Sequence, residues 1–152
     1  MSAVVFRYSC ASCGHTFEAS GILDFSYGEF VMRSKEGSEA YLEAITNEVF
    51  KEVSEIVEAH PCLVGADERQ SGGVIQKIFG VACDPSPSGN QFHIGMNPVC
   101  PSCSSLEMKS WQELYPHMPS SIPSVTHNRW AAMGECKKIE IIDRVIRELL
   151  LL

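Results

Sequence analysis

The sequence predicts an α+β fold, and three observations carry that expectation. Short β-branched and aromatic runs flank two Cys-x-x-Cys turns, one at Cys10 and Cys13 and one at Cys100 and Cys103. Apolar residues recur at helical spacing over 49–57 and again over 139–149. The composition, 45% hydrophobic and 20% charged, is that of a chain with a packed core rather than a disordered one. At 152 residues the chain is expected to form a single domain, 1–152.

Taken in order, Val4–Tyr8 reads as a strand entering the first turn, and Thr16–Glu18 as the strand returning from it. Gly14 supplies the left-handed residue that so tight a turn needs. Glu29–Arg33 and Ala40–Ala44 read as a hairpin around Lys35–Ser38. The competing reading is a helix capped by Ser38 that runs on to Ala59. A helix with Asn47 near its start buries Val49, Val53, Ile56 and Val57 and ends at His60-Pro61. Residues 67–79 read as a second helix, weakened by Gly72-Gly73, with Asp67-Glu68 at its start. Asp84–Asn90 is a loop, Gln91–Ile94 a strand, and Glu107–Leu114 a further strand. Pro116, Pro119 and Pro123 mark an extended connector. Thr126 is expected to cap a short helix over 127–133, and Gly134 separates it from a last helix bearing Ile139, Ile142, Ile146 and Leu149. Trp111 and Trp130 are expected in the core, as are Cys62, Cys83 and Cys136 as small buried residues.

The net charge is −7 and the pI about 5.2, with 12 basic against 19 acidic residues. That balance opposes binding to a nucleic-acid backbone, which needs clustered Lys and Arg. The acidity is concentrated in 36–60, where Glu36, Glu39, Glu43, Glu48, Glu52, Glu55 and Glu58 meet Lys51 alone. On the helix, Glu48, Glu52 and Glu55 fall opposite the apolar stripe. They are the candidate residues for a basic protein partner, against the plainer reading of a solvated face. No apolar run is long enough to span a bilayer, and Met1–Arg7 shows no basic region followed by an apolar one, so neither a membrane span nor a secretion signal is expected.

Seven cysteines, four of them in paired turns, point to a reducing, cytoplasmic setting and a metal site rather than a disulfide scaffold. Zinc takes four thiolate or imidazole ligands in a tetrahedron, and each Cys-x-x-Cys turn supplies half of one. Cys10, Cys13, Cys100 and Cys103 are therefore the candidate ligands of one structural Zn2+. Two disulfides, a redox dithiol and a rubredoxin-like iron site are the alternatives. His15 reads as a neighbour of the site or a surface group, not a ligand. His60, with Cys62 nearby, could begin a second site but has no evident partner pair. Cys136 follows no His-Asp pattern that would make it a nucleophile, and Ser71-Gly72-Gly73 lacks the lysine of a phosphate loop.

Phe6–Glu18, with Cys10-Ala-Ser-Cys13-Gly, resembles the first knuckle of the zinc ribbons, and Asn97–Cys103 resembles the second. The resemblance covers residues 4–19 and 94–112 and implies the four cysteines as ligands. It departs from the usual pattern twice. The spacer runs over residues 14–99, and Ser104 stands where a glycine usually follows the last cysteine. The expected architecture is a zinc ribbon with an α/β subdomain inserted over 20–93 and a C-terminal helical tail over 124–152. The expected function is non-enzymatic: protein–protein binding by an acidic protein, of the inhibitor or immunity type, acting on a basic partner such as a nuclease toxin. A nucleic-acid-associated ribbon of transcription or translation is the alternative, and an enzyme with an unrecognised site the third reading.

Overall fold

The computed structural model describes residues 3–23 and 26–151. Strand β1 (Ala3–Cys10) pairs antiparallel with β2 (Thr16–Ile22), and β3 (Glu29–Arg33) pairs antiparallel with β4 (Glu39–Glu43). Residues 38–44 are therefore strand and turn, and the helix reading that started at Ser38 is set aside. Helices α1 (Glu48–Glu58) and α2 (Glu68–Ile78) follow, then the short strand β5 (His93–Ile94) and β6 (Met108–Glu113). The chain closes with α3 (Asn128–Ala131) and α4 (Glu135–Leu150). The strands form two three-stranded sheets, β2-β1-β6 and β4-β3-β5, antiparallel throughout. The fold is α+β.

Side-chain alternation explains how the layers stack. In the second sheet Met32, Ala40 and Leu42 point to one face and join the main core. That core also holds Val53 and Val57 of α1, Val74, Ile75 and Ile78 of α2, Trp130, and Ile142 and Ile146 of α4. The opposite face carries Val31 and Tyr41, which pack on Ala3 of β1. In the first sheet Val4, Phe6 and Tyr8 share one face and form a small separate cluster. The second sheet is thus covered on both faces, by helices on one and by the first sheet on the other.

A buried polar knot joins the two sheets. Arg33 Nε donates to Glu39 at 2.9 Å, its Nη1 to the Met96 carbonyl at 2.9 Å, and its Nη2 to the Tyr8 hydroxyl at 3.3 Å and to the Ser20 carbonyl. Every donor of the fork that points inward has an acceptor, which is what permits a guanidinium at this depth. The proline-bearing connector is a second tie. The Met118 carbonyl accepts from Val5 N at 2.9 Å, Ser120 N donates to the Ala3 carbonyl at 3.0 Å, and the Pro123 carbonyl accepts from Tyr41 N at 2.8 Å. A proline suits the last of these positions because only its carbonyl is asked to pair.

The helix starts follow the expected chemistry with one exception. Asn47 Oδ1 accepts from Phe50 N at 2.7 Å, and Asp67 and Gln70 form a reciprocal capping box at the start of α2. Thr126, however, does not cap α3. Its hydroxyl donates to Asp84 at 2.6 Å, and Asp84, far back in the chain, accepts from Asn128 N and Arg129 N at 2.9 Å each. Three more expectations are corrected. Trp111 lies on the edge strand β6 and is 59% exposed, because that strand has few covered positions on either face. Cys62 and Cys136 are exposed, one in a 3-10 turn and one in the first turn of α4. Cys83 and Trp130 are buried as expected, and the Trp130 indole N–H donates to Glu52 at 2.6 Å.

Candidate metal centre

The first turn lies between β1 and β2, and the second precedes β6. Because β1 and β6 run antiparallel with Cys10 opposite Met108, both turns emerge at the same end of the first sheet. The local geometry is the same in each. Cys10 N donates to the His15 carbonyl at 2.9 Å, and Gly14 N to the Cys10 carbonyl at 3.0 Å. In the second, Cys100 N donates to the Ser105 carbonyl and Ser104 N to the Cys100 carbonyl, both at 2.9 Å. The residue after the second cysteine has positive φ in both, +74° at Gly14 and 64° at Ser104. Ser104 therefore occupies the glycine position without being glycine, and bears the steric cost of a left-handed backbone. Cross-links hold the turns together: Ser12 Oγ donates to Ser105 Oγ at 2.9 Å, and Ala11 N to the Glu107 carbonyl at 2.9 Å.

The four sulfurs meet crosswise. Cys10 Sγ lies 3.5 Å from Cys103 Sγ, and Cys13 Sγ lies 3.6 Å from Cys100 Sγ, with all four atoms within 4.8 Å of one another. These separations are too long for disulfides, whose sulfurs lie about 2.0 Å apart. A regular tetrahedron with metal–sulfur bonds of about 2.3 Å has edges of about 3.8 Å, so the donor set fits a metal ion of that size. In each turn the first cysteine is buried and the second exposed, which places the cluster at the surface with its inner half sealed.

Thiol acidity is unequal across the group. Backbone N–H groups of Cys13 and Ser12, with hydrogen bonds from Cys103 and Cys100, outweigh desolvation and lower Cys10 to about 6. At Cys103 the Ser105 backbone N–H lowers the value, but hydrogen bonding with Cys10, desolvation and the other thiols outweigh it and push it up to about 12. One negative charge is easily held, and four require a cation among them. Four thiolates would also complete a tetrahedral shell, leaving no position at which a metal could bind substrate.

His15 stacks on Phe17, ring centroids 6.3 Å apart, and takes no part in the sulfur group. His60 is buried and fully engaged elsewhere: Nδ1 accepts from Cys62 N at 3.1 Å, so Nε2 carries the proton that is donated to Asp143 at 2.7 Å. Both ring nitrogens are thus engaged, and neither bonds a cysteine thiol. Among the described residues the four-cysteine group is the candidate metal cluster, and no helix is long and apolar enough to cross a membrane.

Of the three glutamates singled out on α1, Glu48 and Glu55 are exposed, while Glu52 is committed inside the chain. Its carboxyl is paired with Lys138 at 2.8 Å and accepts the Trp130 indole N–H, and these contacts hold it below the usual range against desolvation. What sequence reasoning missed is Arg33, whose partners are gathered from β1, β2 and β4 and give no local signal. Compared with protein-family models, curated proteins and solved structures, the chain has no match in any of the three.

Proposed function

We propose that the chain is an acidic protein of zinc-ribbon type that binds one structural Zn2+ through Cys10, Cys13, Cys100 and Cys103 and acts by binding a basic protein partner. The inhibitor or immunity type, directed at a basic nuclease or toxin, is the form of partnership this profile suits. The observation that carries the reading is the closed four-sulfur group on a chain of net charge −7. Such a site holds a fold together and does not turn over substrate. The charge favours encounter with a positive surface and opposes a phosphate backbone.

Metal analysis of protein purified in reducing buffer tests the first half: one zinc per chain, lost in Cys10→Ser and in Cys100→Ser. Iron in place of zinc, or metal retained by both variants, would refute it. A pull-down tests the second half. The expected result is a basic, stoichiometric partner whose association slows as salt rises and slows further in Glu48→Gln/Glu55→Gln. Tight, salt-sensitive binding of DNA or RNA with no protein partner would favour the nucleic-acid reading instead.

A further inference from the structure

A groove of about 950 Å³ runs between α1 and α4. Ile56 of α1 and Ala59 at its C-terminal cap line one side, and Ile139 of α4 the other. Ile139 is 47% exposed although it sits in the second turn of α4 and lines the groove opposite α1. The rims are acidic. Glu55 stands on the α1 side, and Glu135, Glu140 and Asp143 on the α4 side.

Two cations at the groove are already paired, Lys138 on its wall and Arg147 beside Asp143. Lys138 is paired with Glu52 and lies 5.4 Å from the centre of the Trp130 ring, and Arg147 is paired with Asp143 at 2.8 Å. Lys137 reaches Glu140 only at 3.8 Å, with both side chains exposed, which is a weak pair. Among the described residues Glu55 and Glu135 form no ion pair and Glu140 only this weak one, so the rims of the apolar seat keep a net negative charge. A second copy of this chain would bring its own net charge of −7 against it. The complement of the groove is a positively charged, amphipathic stretch of polypeptide.

We infer that the α1–α4 groove is the docking site for a basic amphipathic segment of a partner protein. An aliphatic side chain of that segment seats between Ile56 and Ile139, and its Lys or Arg residues meet Glu55, Glu135 and Glu140. This rests on the proposed reading of a basic protein partner, and it moves the contact from the outer stripe of α1 into the cleft, adding residues of α4. Rim charges set the rate and salt dependence of encounter, whereas the apolar seat sets residence.

The probe is a synthetic 15-residue helical peptide with a leucine stripe flanked by lysines, set against a scrambled peptide of the same composition. Amide and isoleucine-methyl NMR shifts of the full chain locate the contact, and fluorescence anisotropy gives affinity. Shifts are expected over 52–61 and 135–143. Ile139→Glu adds negative charge but removes the seat, so affinity should fall on the order of tenfold or more, as for a central apolar anchor. Glu55→Gln/Glu140→Gln should weaken binding several-fold at low salt and little at high salt. Circular dichroism checks that each variant folds, and Ile139→Ser serves where the glutamate disturbs α4.

Equal or tighter binding by Ile139→Glu, or shifts that fall on another acidic surface such as 36–43, would overturn the groove and leave the basic-partner reading standing. Absence of saturable binding at low salt would also overturn the groove, while the pull-down above decides the wider reading independently. Concentration-dependent shifts of the same residues in the free protein would put a second copy there, against the inference.

Discussion

If the four cysteines hold a structural zinc as proposed, removing it should melt one sheet and spare the rest. The main core is built from the second sheet and the helices, and no residue of β1, β2 or β6 belongs to it. The first sheet has a small cluster of its own, in which Val4, Phe6 and Tyr8 are buried. Side chains of this kind contribute about 1.5–3 kcal/mol each when fully buried. A four-thiolate structural zinc contributes on the order of 10–16 kcal/mol in small domains, so a zinc held here would outweigh the sheet's own apolar cluster. Strand β6 depends on it most, since Lys109, Ser110, Trp111 and Gln112 are all exposed and backbone pairing to β1 is its main hold. Hydrogen exchange read by mass spectrometry, before and after chelation under reducing conditions, is the assay. Protection should be lost over 3–22 and 106–113 and kept over 48–58, 68–78 and 135–150. If the three helices lose protection in step with the sheet, the two cores are one cooperative unit. If the sheet keeps its protection with the metal gone, the metal is not what orders it. Either result refutes the reasoning.

Two glycine experiments separate close approach from backbone conformation. A Cβ on Gly80 would stand 1.9 Å from the Phe92 carbonyl oxygen, so Gly80→Ala should cost about 1–3 kcal/mol or more by overpacking. Gly72→Ala, inside α2 with nothing within 4 Å, should instead stabilise by about 0.5–1 kcal/mol; denaturant midpoints decide both, and matching signs would contradict the packing described. At the metal turns, Gly14→Ala meets no neighbour but must hold φ near +74° and should cost about 1–2 kcal/mol. Ser104→Gly relieves the same strain and should be neutral or stabilising by up to about 1 kcal/mol, so a loss on that change would mean that the serine side chain itself is needed.

Local signals were legible wherever a few adjacent residues carry the physics. The paired cysteines, the Asn47 and Asp67 caps, the stripe of Val53 and Val57 and the β3–β4 hairpin all rest on short-range chemistry, and each is found where the sequence places it. Even the spacing of Ile142 and Ile146 on the last helix marks its buried face. Exposure of Trp111, Cys62 and Cys136 could not be read in the same way, because residue type sets an average burial and only the neighbouring elements decide it at a given position. The cap of α3 is the clearest case: Thr126 has the right side chain in the right place, yet Asp84 arrives from more than forty residues back and takes the N–H groups. Arg33 and Glu52 follow the same rule, one tying two sheets and the other tying α1 to Trp130 and α4. The sequence by itself determined the two cysteine pairs, the main helices and the overall acidity, since these are properties of residues and short spacings. The tertiary structure alone decided that the two turns meet at one end of a sheet, that Glu52 is not free, and that the exposed Ile139 faces α1 across an acidic groove. Those are relations between distant segments, and they exist only once the chain has closed its loops and packed its layers.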